Sequence, residues 1–187
     1  MRVRRWIGLL AMVLILAACA TPQRIGGADI AFERVGRFAV TVRAVNAPAQ
    51  AAQGGFSWRD TGERLSLDLM SPVGNVLAQI QVSAQRAVLV RSDGERTSAT
   101  DPDALLEQVW GHAVPVAGLR AWIQGQMQPG ATPRAIGRDP QGRIVAFKQD
   151  GWLVALSDYD ARGPLRLRLS RDDTEGEVRV QLIVDGD

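Results

Sequence analysis

The chain has 187 residues with 22 basic and 20 acidic side chains, one histidine and one cysteine, which excludes a multi-histidine metal site and any intrachain disulfide. Its formal charge of +2 comes from the N-terminus: residues 1–18 hold Arg2, Arg4 and Arg5 and no acid, so the remainder sets 19 basic against 20 acidic residues, a net charge of −1. With Lys148 as the single lysine and the arginines scattered, no block of like charge can follow a phosphate backbone, and nucleic-acid binding is set aside.

The first element is an export signal. Three arginines precede an uncharged apolar run from Ile7 to Leu16, and Leu16-Ala17-Ala18-Cys19 follows, a pattern that resembles the lipobox of a bacterial lipoprotein. The run is shorter than the roughly 20 apolar residues a membrane-spanning helix needs. Cysteine fits the position because its thiol ionises readily to a sulfur nucleophile for thioether formation with a diacylglyceryl group. Cleavage before Cys19 would free its amine for a further acyl chain. More than one chain is needed for stable anchoring, so a multiply acylated Cys19 is expected to hold the protein on a membrane. The alternative is a buried, inert thiol. The expected organisation is a signal peptide over 1–18, a lipidated N-terminus and tether over 19–33, and a single domain over 34–187. Without residues 1–18 the chain is 169 residues long, enough for one real core.

From Arg34 onward the pattern predicts strands. Phe38, Val40 and Val42 alternate with polar or small residues, as do Leu65, Leu67 and Leu69, the signature of half-buried strands. Short runs of the same kind cover Val76 to Val82, Ala87 to Val90, Ile144 to Phe147, Leu153 to Leu156, Leu165 to Leu169 and Val178 to Val184. Separated by Gly, Asp, Asn or Pro, they predict an antiparallel meander curled into a barrel or sandwich. Between them, Asp101-Pro102-Asp103 offers an N-cap and a first-turn proline for a helix ending at Gly111. A second helix is predicted from Pro115 to Gly125, and together the two would cover one face or mouth of the curved sheet.

Residues for covalent chemistry are sparse. His112 follows the helix-ending Gly111, and no G-x-S-x-G elbow supplies a nucleophile for it. Asp101 and Asp103 read as helix-start residues, and Asp172, Asp173, Glu175 and Glu177 as a solvated hairpin tip near Gly176. Gly54-Gly55 lacks the context of a phosphate loop and reads as a strand-edge bulge. Apolar residues remain: Phe38, Phe56, Trp58, Leu65, Leu67, Trp110, Trp122, Phe147 and Trp152. They fill a curved sheet or line a cavity for a greasy ligand, and packed core is the default.

The turn Met70-Ser71-Pro72-Val73-Gly74-Asn75-Val76 is unusual because its tip is apolar, whereas turn tips are normally polar. Pro72 fixes φ and Gly74 frees the next step of backbone. Val73 is either a probe that enters a membrane or an apolar ligand, or a buried loop residue.

Several segments match one family in order and spacing: the lipobox, Gly36-Arg37-Phe38-Ala39-Val40, Gly55-Phe56-Ser57-Trp58, Ser71-Pro72-Val73-Gly74, Gly111 to Pro115, Leu119 to Gly125, and Gln149-Asp150-Gly151-Trp152. Together they resemble the LolB family of outer-membrane lipoprotein receptors over nearly the whole mature chain. The resemblance implies a mainly β fold, an unclosed antiparallel β-barrel with helices as a lid over an apolar cavity. It implies a non-enzymatic activity without cofactor: accepting lipoproteins from the periplasmic carrier LolA, whose fold is similar, by their acyl chains, and inserting them into the inner leaflet of the outer membrane. The implied partners are that carrier, client lipoproteins and the outer membrane through the lipid anchor at Cys19, with the domain monomeric and facing the periplasm. Ala20 after the cleavage point agrees with sorting to the outer membrane.

By the same resemblance, Pro72, Val73 and Gly74 form the membrane-insertion loop, and Phe38, Phe56, Trp58, Leu67, Leu69, Trp122 and Ile123 are candidates for the acyl-chain cavity. Val73 stands where the family usually has leucine, Ala113 replaces a common proline, and the C-terminus lacks a tryptophan that many members carry. Two other readings stand beside this one: a structural envelope lipoprotein with a solid interior that docks proteins, and a hydrolase using His112 or a carboxylate pair.

Overall fold

Alternating side chains place an apolar row inward on most strands, and a single antiparallel sheet follows from stacking those rows. The computed structural model describes residues 32–186 apart from 113, 131 and 175, so Cys19 and the expected tether up to residue 31 lie outside the described residues. The strands are β1 (Phe32–Ala44), β2 (Gln50–Asp60), β3 (Leu65–Met70), β4 (Val76–Ser83), β5 (Arg86–Arg91), β6 (Arg96–Ala99), β7 (Arg134–Arg138), β8 (Ile144–Gln149), β9 (Trp152–Tyr159), β10 (Pro164–Asp173) and β11 (Gly176–Val184). Their order across the sheet is β6-β5-β4-β3-β2-β1-β11-β10-β9-β8-β7. Every pairing joins strands consecutive in the chain except β1 with β11, where Val40 faces Val180 and Phe38 faces Leu182. Among the described residues, strands β6 and β7 have no partner on their outer sides. The barrel is therefore not closed, and the fold is mainly β.

The chain passes from one free edge to the other through two helices, α1 (Pro102–Trp110) and α2 (Val116–Trp122). Asp101 caps α1 by accepting a 2.8 Å hydrogen bond from the Ala104 N–H, with Pro102 at the first helical position, where its missing N–H costs nothing. Gly111 ends the helix at φ 74°, in the left-handed region that glycine enters without a Cβ penalty. Helix α1 lies against β5 and β6. Asp103 reaches forward from its first turn and accepts a 2.9 Å hydrogen bond from the Ala117 N–H, tying α1 to α2. On α2, Gly118 is required by packing: a Cβ there would stand 2.6 Å from the Trp122 ring.

Two part-buried ion pairs set the remaining geometry. Arg34 on β1 donates to both carboxylate oxygens of Asp160, at 2.5 and 2.6 Å. Arg120 on α2 donates to both oxygens of Asp60, each at 2.6 Å, and to the Gly62 carbonyl at 2.6 Å. Such bidentate guanidinium pairs fix orientation as well as charge.

Three expectations change. The first strand begins at Phe32, before Arg34, and the second helix stops at Trp122, with a turn continuing to Gly125. Gly54-Gly55 is no edge bulge but lies within β2, a central strand, with Gly54 opposite Phe38 and Gly55 opposite Met70. A Cβ on Gly54 would meet the Met70 carbonyl oxygen at 1.9 Å, so glycine is there for close approach of backbones. Strands β2, β6 and β7 lack a clear apolar alternation. Ala52 and Gly54 occupy inner positions of β2, while β7 pairs irregularly with β8 and holds Ala135 at φ 52°.

Candidate functional site

The half of the molecule built from β1 to β5, β11 and the helices forms a partly open cavity of about 410 Å³. Phe38 and Val40 of β1, Ala52, Phe56 and Trp58 of β2, Leu67 and Leu69 of β3, and Ala78 and Ile80 of β4 line it. Leu106, Val109 and Trp110 of α1, Val114 of the link, Val116 and Leu119 of α2, and Val180 and Leu182 of β11 complete the lining, with Leu77 and Leu89. Gln53 and Arg91 are the polar residues among them. The void persists because one concave sheet and two short helices cannot bring opposing side chains into contact across it. Its volume lies in the range of about 300–1,000 Å³ typical of small-molecule pockets.

Of the seven cavity candidates, Phe38, Phe56, Trp58, Leu67 and Leu69 stand on this lining. Trp122 and Ile123 do not. The Trp122 ring meets Phe147 edge-on at 5.9 Å, its Nε1–H donates to Gln149 Oε1 at 2.9 Å, and Ile123 is fully buried in the core. At the end of α2 the helix turns over the sheet half that holds Phe147, Val154 and Leu167, where the interior is filled. Leu65, Phe147 and Trp152 are also core residues away from the cavity, whereas Trp110 is on its lining. The contributions of Val116, Leu119, Val180 and Leu182 had a signal, helical and strand periodicity, but periodicity gives the inner face without saying whether that face is packed.

The turn after β3 leaves the body of the sheet. The Ser71 N–H donates to the Asn75 carbonyl at 2.8 Å and the Gly74 N–H to the Ser71 carbonyl at 2.9 Å. The Asn75 N–H donates to Ser71 Oγ at 3.2 Å, and Gly74 takes φ +91°. Within this tight frame Val73 is 83% exposed, more than any other large apolar side chain among the described residues. The buried-loop alternative for Val73 is thus overturned: among the described residues no layer of protein lies over the tip of the turn.

Groups with shifted protonation are in structural positions. Hydrogen bonding from Arg34 holds the Asp160 carboxyl far below the usual carboxylate range, assisted by the backbone N–H groups of Arg162 and Gly163. Burial pushes the Asp103 carboxyl up, against the lowering effect of the Ala117 N–H. His112 borders a small pocket with Glu107, Arg171 and Glu177, and no serine or cysteine is among its lining residues. Glu177 also accepts a 3.0 Å hydrogen bond from Arg43. Among the described residues no cluster of His, Cys, Asp or Glu could hold a metal ion, and no helix is long and apolar enough to cross a membrane.

The family model described as "Outer membrane lipoprotein LolB" matches residues 31–186. An outer-membrane lipoprotein LolB of Bordetella pertussis is 44% identical over 185 residues, covering 96% of this chain and 93% of the relative. One from Cupriavidus necator is 35% identical over 180 residues, covering 92% and 90%. A solved structure of a LolA superfamily protein from Nitrosomonas europaea, 9% identical, overlaps 84% of this chain and 88% of its own with a TM-score of 0.45.

Proposed function

The chain belongs to the LolB family of outer-membrane lipoproteins, and from that premise we propose that it receives lipoproteins from a soluble periplasmic carrier, shelters their acyl chains in the apolar cavity and delivers them into the inner leaflet of the outer membrane. The observation that carries this reading is the 410 Å³ cavity with its almost wholly apolar lining. A chain of sixteen carbons in water forgoes burial worth about 0.8 kcal/mol per methylene, on the order of 10 kcal/mol in all. Passage from one apolar shelter to another avoids that state. A tighter apolar fit in the receiver, with the membrane as the final sink, gives the direction without a nucleotide, and no covalent step is involved.

Cys19 supplies the anchor in this reading and keeps the domain at the periplasmic face of the membrane. Val73 supplies the contact with hydrocarbon. Pro72 and Gly74 hold it at the tip, and its exposure is what an inserting residue requires. The alternative of a solid docking scaffold has the cavity against it. The hydrolase alternative has against it the surroundings of His112, where no serine or cysteine is among the described lining residues and Glu177 is engaged by Arg43.

Transfer of radiolabelled lipoprotein from the carrier to membranes tests the proposal, with wild type and Val73→Glu side by side. The wild type should take cargo from the carrier and deliver it. The glutamate variant should accept cargo yet deliver little, because a carboxylate opposes entry into hydrocarbon. Delivery by Val73→Glu at the wild-type rate would remove the insertion role, and a wild type that accepts nothing would remove the receptor role.

A further inference from the structure

The pairing of β3 with β4 is regular from Leu65 opposite Val82 to Leu69 opposite Ala78, then slips so that Met70 faces Val76. The residue left over is Leu77, a β-bulge on β4. On the other side the ladder is undisturbed, since the Ser92 N–H donates to the Leu77 carbonyl at 3.1 Å. The bulge is thus held in place by β5 and its turn.

The bulge sits beside the cavity. Strict alternation would put Ala78, Ile80 and Val82 on the inner face and Leu77 on the outer one. Leu77 nevertheless lines the cavity next to Ala78, while remaining 47% exposed. Re-aiming a side chain beside a site is a recurrent use of a bulge. Leu77 is also four residues from the exposed Val73 tip, no more than about 14 Å along the chain. It therefore belongs both to the cavity lining and to the base of the protruding loop.

We propose that Leu77, at the β4 bulge on the rim of the cavity, is the threshold over which a bound acyl chain leaves the cavity for the membrane under the Val73 loop. The inference rests on the acyl-transfer reading of the cavity. The occupant is a cargo acyl chain, because the track joins an apolar cavity at one end to an apolar, exposed tip at the other. A chain sliding over Leu77 stays in contact with methyl groups between the two environments, whereas a polar group there would expose several methylenes to water at each step.

The test uses the full acylated protein in vesicles of phosphatidylethanolamine and phosphatidylglycerol, supplied with carrier-bound lipoprotein bearing a photoactivatable acyl chain. Crosslinking to the receptor over time separates loading from release. Leu77→Gln should load at the wild-type rate and release about tenfold more slowly. Leu77→Met should restore release, and Leu153→Gln, at a 46% exposed leucine on β9, should change neither step. Release from Leu77→Gln at the wild-type rate, with the wild type active, overturns the threshold while leaving the transfer reading in place. Equal slowing of loading and release would make Leu77 an ordinary wall residue and also overturn it. A wild type that never loads would overturn the transfer reading, and the threshold with it.

Discussion

Arg120 on α2 grips Asp60 at the end of β2 through two hydrogen bonds of 2.6 Å, joining positions 60 residues apart. The pair fastens the second helix, with Val116 and Leu119 on its inner side, across the cavity. Asp60 is buried while the Arg120 side chain is about one-third exposed. Arg120→Ala should therefore destabilise the fold by about 2–3 kcal/mol, because the cost of an uncompensated buried carboxylate is moderated by water at the arginine side. Urea denaturation measures it. Arg120→Lys should recover only part, since an ammonium cannot reproduce the planar fork.

Acid sensitivity follows from the other clasp. The folded-state pKa of Asp160 is depressed chiefly by its hydrogen bonds from Arg34. The stability it contributes is thus fully present above the unfolded value of about 4 and is lost as pH falls below that value toward the folded one. Asp160→Asn should lower the urea midpoint at pH 7. The gap between wild type and variant should narrow when the same measurement is made at pH 3.

Asp103 has the opposite sign. Burial raises its folded-state pKa, so its proton is held more tightly in the folded chain, and its contribution favours folding at low pH and fades as pH rises through the folded pKa. Asp103→Asn keeps an acceptor for the Ala117 N–H and removes the buried charge. Relative to wild type it should gain stability between pH 3 and pH 7, as followed by thermal melts. Asp103→Ala should lose about 1 kcal/mol with the interhelical hydrogen bond.

Gly54→Ala should be among the most damaging single-methyl additions. Its Cβ would stand 1.9 Å from the Met70 carbonyl oxygen in the middle of the sheet, and a loss of at least about 3 kcal/mol is expected from forced separation of β2 and β3. At Gly74 nothing lies within 4 Å of an added Cβ, although φ is +91°. Gly74→Ala should cost only about 1 kcal/mol for the left-handed backbone. Denaturation midpoints of the two variants give the comparison.

Filling the cavity should separate binding from stability. Ala78 lies on the cavity lining and is only partly buried, so Ala78→Phe can turn its ring into the void. The variant should be as stable as wild type or slightly more so. Its capacity for a fluorescent fatty acid should fall severalfold in a titration. Undiminished uptake would place acyl binding elsewhere.

Much of the meander was legible because its inner rows are large and apolar: Leu65 and Leu67, Val154 and Leu156, Val178 and Val180 alternate with polar neighbours. Strand β2 was not, since its inner positions include Ala52 on the cavity lining and Gly54 against the Met70 backbone. A wall that must leave space carries small residues, and small residues weaken the pattern by which a strand is recognised. Helix α1 announced itself through Asp101, Pro102 and Gly111, each of which acts within a few residues along the chain. The bulge at Leu77 gave no such sign, because it is defined by register with β3 rather than by the residues of β4.

Local terms are written in neighbouring residues: strand alternation, helix caps, the apolar turn at Val73 and, as a resemblance, the lipobox ending at Cys19. These depend on neighbours within about one turn or one hairpin. Only in the folded chain does Trp58 border a void while Trp122 packs on Phe147, and Arg34 meet Asp160 across 126 positions. Apolar residues carry the same transfer preference whether they end in a core or on a cavity wall. Only the curvature of the whole sheet, with two helices bridging its free edges, fixes where the interior remains unfilled.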